Sequence, residues 1–180
     1  SGHIAAVGYD MFLQLMENAV ADLKGEPITE PLEPEINLPL SAFIPESYVP
    51  DIDQRLSAYR RLARMTGLKE IAAVKEEMLD RYGPLPDETS NLLLKIMLKV
   101  LSVRGGVKRL DISGRNLSLY FSEVHQKHPF GIVDMVSASP KKYRFTVDHV
   151  LKVKLQKADA QGAVVEIKNI LKEIAMRVNR

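Results

Sequence analysis

Two periodicities in succession predict an α+β fold. Helical stripes of apolar residues fill 51–104, and from Val107 the pattern switches to period two, giving two hairpins before a last helix. Helices in a run followed by hairpins argue for helices packed on a small antiparallel sheet. A doubly wound α/β sheet would need strand and helix in alternation. The 180 residues, 46% of them hydrophobic, suffice for one ordinary core with an N-terminal helical arm attached.

The arm comes first. Phe12, Leu15, Met16, Ala19, Val20 and Leu23 recur at helical spacing and stop at Gly25, so residues 1–25 read as an amphipathic helical arm. Pro27, Pro31, Pro34, Pro39, Pro45 and Pro50 then exclude a helix interior, and 26–46 reads as an extended linker. Within it Ile36-Asn37-Leu38-Pro39-Leu40 alternates, which suits a sheet edge or a neighbouring surface. The domain proper is expected over 47–180.

Asp51 or Asp53 caps a helix to about Met65, with Ile52, Leu56, Tyr59 and Ala63 inward, Arg60, Arg61 and Arg64 largely outward, and Gly67 as its stop. Over 68–82 a second helix places Leu68, Ile71, Val74, Met78, Leu79 and Tyr82 on one arc and Glu70, Glu76, Glu77 and Asp80 on the other, until Gly83-Pro84 ends it. Asp87 stands at the N-cap of a third helix, Asn91 to Arg104, apolar almost all round and therefore the expected central rod. The strands come next: Val107 to Ile112 and Leu117 to Phe121 around Ser113-Gly114-Arg115-Asn116, then Tyr143 to Val147 and His149 to Leu155. A short helix at 129–136 separates the hairpins, and a helix over 161–178 closes the chain.

Composition excludes several classes of function. Without cysteine there is no disulfide framework and no thiolate metal site, and the cytosol is the expected compartment. No apolar run reaches the ~18 residues of a membrane span. No phosphate-binding loop of the GxxxxGK[ST] type occurs, so ATP binding is not expected of this chain, and no nucleophile-elbow serine is present. His125 and His128 have metal-ligand spacing, but Pro129 disfavours a helix through His128. They read as ordinary surface histidines, as do His3 and His149.

Charge is divided along the chain despite a net +2: residues 1–94 hold 8 basic and 16 acidic side chains, and residues 95–157 hold 13 and 4. Two charged faces result. Glu77 and Asp80 sit three apart, with Glu70 and Arg81, on a helical arc that the core does not use. That arc is either a solvated face, partly neutralised by Lys69 and Arg81, or the receiver of a basic partner. The basic stretch, with Lys141, Lys142 and Arg144 as its phosphate contacts and Tyr120, Phe121, Tyr143 and Phe145 as stacking rings, is the alternative functional surface, a nucleic-acid-binding module.

Three strings carry a resemblance: Gly2-His3-Ile4 through Val7-Gly8-Tyr9-Asp10, Ile44-Pro45 through Tyr48-Val49-Pro50-Asp51 with Arg55-Leu56, and Leu79-Asp80-Arg81-Tyr82-Gly83-Pro84-Leu85-Pro86. Together they resemble the C-terminal (TRCF) domain of the bacterial transcription-repair coupling factor family, over essentially the whole chain. The opening string is similar to the end of that family's translocation motif. The resemblance implies a cytoplasmic fragment of an ATP-dependent DNA translocase that removes stalled RNA polymerase and recruits excision repair. ATP, magnesium and DNA would be held by upstream domains, and this chain would carry no cofactor, metal or catalytic residue. It also implies a role, docking on the N-terminal UvrB-like module of the same protein to mask its UvrA-binding surface. Glu70, Glu77, Asp80 and Arg81 are the residues expected at that contact.

Overall fold

The computed structural model describes residues 30–126 and 128–179; the expected helical arm lies outside them. The chain divides into two units, Ser1–Pro31 and Leu32–Arg180, and the described helices and strands all lie in the second.

In chain order they are β1 (Glu35–Asn37), α1 (Ile52–Ala63), α2 (Leu68–Tyr82), α3 (Asp87–Gly105), β2 (Val107–Ser113), β3 (Asn116–Phe121), α4 (Pro129–Ala138), β4 (Tyr143–Phe145), β5 (Val150–Lys154) and α5 (Ala160–Val178). The fold is α+β, with five helices among the described residues and a five-stranded sheet in the order β1-β2-β3-β5-β4. Both expected hairpins form, and all their pairings are antiparallel. The alternating Ile36-Asn37-Leu38 segment adds the edge strand β1, parallel to β2, which makes the sheet mixed. A proline-rich segment suits an edge, where a missing N–H costs no ladder bond. The segment expected as a linker over 26–46 thus enters the compact unit from Leu32 onward, with Ile44 buried.

Two apolar clusters share α3. Leu98 and Leu101 face the larger one, formed by the inner sheet face (Leu110, Leu117, Leu119, Leu151) with α4 and α5. Leu93 and Val100 face the smaller, formed with α1, α2 and Ile44 and Val49. A helix apolar on nearly all sides is what a rod between two cores requires. Gly106, at φ 71°, ends it in the left-handed conformation that glycine adopts without a Cβ penalty.

The segment 44–56 is built mainly of anchors. Ile44 and Val49 are buried, and Asp51 Oδ1 accepts from the Gln54 N–H at 2.9 Å as the N-cap of α1. Arg55 Nη1 donates to the carbonyls of Val49 (2.7 Å) and Pro50 (3.0 Å). The Tyr48 hydroxyl lies 2.8 Å from the Gly83 carbonyl and 3.1 Å from that of Met78, satisfying the C-terminus of α2. Tyr48→Phe is expected to cost about 1 kcal/mol in urea unfolding, since it leaves those carbonyls without the donor.

These anchors set the rotation of α1 and overturn part of its expected orientation. Leu62 is buried, but Ile52 is 61% and Leu56 45% exposed, and Ala63 is exposed as well. Arg55 and Tyr59, whose hydroxyl accepts from the Ile44 N–H at 2.7 Å, turn inward to meet backbone polar groups, and the Ile52–Leu56 strip turns about a quarter revolution away. On α2, Ile71, Val74 and Met78 are buried as expected, whereas Leu79 is 37% exposed.

Burial pushes the Tyr143 phenol up to about 12, with the Glu173 and Glu166 carboxylates adding to the effect. The fold therefore favours the neutral phenol. This contribution to stability is complete below the unfolded value of 10.0 and is lost as pH rises through about 12. Between about pH 9 and about pH 12 the chain should lose about 2 kcal/mol more stability than Tyr143→Phe does, measured by denaturant titration.

Candidate functional site

The acidic face of α2 is a solvent-facing strip flanking a cleft of about 340 Å³ between α1 and α2. Glu70, Glu77 and Arg81 recur at i, i+7 and i+11 and line up along the helix, with Asp80 about 80° to their outer side. The structure treats these residues differently. Glu77 is taken: Arg61 of α1 donates to it across the cleft, and Arg81 Nη1 stands 3.5 Å away. The Arg61 hydrogen bond is the main cause that holds the Glu77 carboxyl below the usual carboxylate range. Glu70 accepts from Thr66 Oγ1 at 3.4 Å, beside the start of the helix. Asp80 is exposed and forms no ion pair among the described residues.

Neutralisation of this face comes partly from its own helix and partly from outside it. Of the two expected local counter-charges, Lys69 and Arg81, it is Arg81 that stands against Glu77, and Arg61, sixteen positions before Glu77, adds the closer contact. The packing of α1 antiparallel to α2, marked by the Tyr82–Gln54 hydrogen bond at 2.7 Å and by the Arg61–Glu77 pair, brings them together. The apolar Ile52 and Leu56, outside the expected set, are also presented to solvent on α1. No local signal distinguished them from core residues, because their spacing is that of a buried stripe.

The basic stretch divides. Lys99 pairs with Glu33 at 2.8 Å, and Arg109 with Asp111 at 2.6 Å, where the Arg109 hydrogen bond holds the Asp111 carboxyl below its ordinary range. Lys141, Lys142 and Arg144 do come together, in a groove of about 590 Å³ shared with Lys152 and Lys154. The stacking rings do not. Phe121 and Tyr143 are buried, Phe145 packs 6.1 Å from Phe121, and Tyr120 lies under the Arg109 guanidinium at 4.4 Å. Strand alternation turns three of these rings to the core, and the fourth is covered.

The histidines scatter. Nδ1 of His125 lies 2.8 Å from Ser122 Oγ, His149 is 3.6 Å from Glu123, and His128 is exposed. Among the described residues no three of His, Cys, Asp and Glu are grouped to hold a metal, and no helix is long and apolar enough to cross a membrane.

The class defined by this geometry is a small α+β domain with two charged surfaces, an acidic helical strip and a basic sheet-edge groove. A family model of the TRCF domain matches residues 38–132, more than half of the chain, and the chain belongs to that family. It is 34% identical over 180 residues to the transcription-repair-coupling factor of Myxococcus xanthus and 27% identical over 179 residues to that of Escherichia coli K12. Each alignment covers 97% of this chain but only 15% and 16% of those relatives. A crystal structure of the C-terminal domain of transcription-repair coupling factor superposes with a TM-score of 0.70, covering 82% of this chain and 94% of that one. At 16% identity that match bears on the fold.

Proposed function

We propose that this chain is the regulatory docking domain of a cytoplasmic transcription-repair coupling factor, holding the N-terminal UvrB-like module of the same protein and masking its UvrA-binding surface. The observation that carries the reading is the α2 strip. Asp80 is an exposed carboxylate on the side of α2 turned away from the buried Ile71, Val74 and Met78, with no ion pair among the described residues. A clamp of this kind needs only a modest interface. Tethering in one chain gives a high effective concentration, and a conformational change in the translocase withdraws it.

In this reading the domain catalyses nothing. ATP and magnesium serve the upstream translocating domains, which also hold the DNA, and stalled RNA polymerase acts on this domain indirectly by driving its release. Titrating the 180-residue chain against the isolated N-terminal module tests the proposal. Saturable binding that UvrA competes away is expected, and absence of binding at high micromolar concentration and low salt refutes it.

A further inference from the structure

We infer that the groove beside the β4–β5 hairpin is a binding surface for the phosphate backbone of duplex nucleic acid, separate from the α2 strip. Helices α3, α4 and α5 pack on one face of the sheet. Across the open face one row of register partners runs Asn37, Asp111, Ser118, Lys152, Arg144, one residue from each strand. The row is sorted by charge. At its β1–β2 end Asp111 is occupied, accepting from Asn37 Nδ2 at 2.6 Å and from Arg109. At its β5–β4 end stand Lys152 and Arg144, and Lys154 comes next on the same face, opposite Asn116.

Lys141 and Lys142, on the turn into β4, complete a groove of about 590 Å³ lined by five cations and no carboxylate. Of the two nearby acids, Asp111 acts on Lys152 but is held by Asn37 and Arg109, and Glu166 is also largely spoken for. It accepts from the backbone N–H groups of Gln156 (2.9 Å) and Lys157 (3.4 Å) and stands 3.8 Å from Lys142. Five like charges held together this way repel one another, and an anion with repeated charges relieves that repulsion. Lys152 and Lys154 project two residues apart on one strand, about 7 Å along it, with Arg144 one strand spacing to the side. Such a spread fits successive phosphates better than a single anion.

The absence of a free ring beside the groove among the described residues decides between duplex and single strand. Binding to single strands relies on aromatic platforms that stack bases. The rings of β3 and β4 are buried or covered, so contact is limited to backbone phosphates and carries no sequence preference.

The test is fluorescence anisotropy of a short labelled DNA duplex with the full 180-residue chain. With Lys141, Arg144, Lys152 and Lys154 each meeting a phosphate, raising salt from about 50 to about 200 mM should weaken binding roughly 100-fold. The triple variant Lys141→Glu/Arg144→Glu/Lys154→Glu, shown folded by its melting curve, should bind far more weakly and lose only about 4-fold over the same range. Lys152 is left intact because it donates to Ser118 at 2.9 Å. A control that reverses Arg60, Lys69 and Lys75 on α1 and α2 should keep the parent salt dependence. Equal loss in the control, or none in the triple variant, overturns the assignment. So does tighter binding of polyglutamate than of duplex, which would make the groove a site for acidic protein segments.

Discussion

Ile174→Ala is expected to lower the unfolding free energy by about 3 kcal/mol, read as a shift of the urea midpoint at constant slope. Ile174 is fully buried on α5, where that helix crosses the end of α3, and its Cγ2 would lie 3.1 Å from a Cβ built on Gly105. Truncation loses the transfer free energy of the removed atoms and leaves a void that close-packed neighbours fill only partly. The glycine opposite gives the site a second test. In the parent, Gly105→Ala gains roughly 0.5–1 kcal/mol of helix propensity but forces Ile174 to shift, so its net effect is small. In the Ile174→Ala background the methyl enters vacated space. There Gly105→Ala should recover about 1 kcal/mol, a coupling that additive effects would not show.

Asp80→Arg is expected to weaken docking to the N-terminal module about tenfold while leaving the melting temperature within a degree or two. The first effect comes from replacing attraction to a basic partner by repulsion at a partly desolvated contact, worth on the order of 1–2 kcal/mol. The second comes from Asp80 forming no ion pair among the described residues. Glu77→Arg should behave differently, because it also strips the hydrogen bond from Arg61 and opposes Arg61 and Arg81 across the cleft. It is expected to weaken docking and lower stability together. Isothermal titration beside thermal melts separates the two. Unchanged affinity for Asp80→Arg would remove α2 from the interface.

The elements were legible wherever the cause was local. Asp51 announces a helix start because a short acceptor three residues from a free N–H satisfies it, whereas Asp87, expected as a cap, lies in the first turn of α3 behind Pro86. Gly83 and Gly106 mark helix ends because they take positive φ values of 85° and 71°. The period-two run of β3 shows which of its residues face the core, whereas in β2 an irregularity between Val107 and Arg109 breaks the alternation and buries Val107 and Leu110, three positions apart. Less legible was the rotation of α1. The apolar spacing of Ile52 and Leu56 matches a core stripe, yet Arg55 and Tyr59 outweigh it by pairing with the Val49 carbonyl and the Ile44 N–H, backbone groups of two buried residues.

By itself the sequence determined the order of helices and strands, the α+β class, the charge division along the chain and the strings that resemble the TRCF domain. Each of these is written within about one helical turn or one hairpin, where periodicity and capping operate. Only the tertiary structure decided which charges remain unpaired. Arg61 reaches Glu77 across a cleft, Glu33 reaches Lys99 from a segment read as linker, and residues from three strands and a turn make one basic groove. Pairings between residues far apart in the chain depend on where the packed core places each helix and strand, and no local pattern encodes that placement.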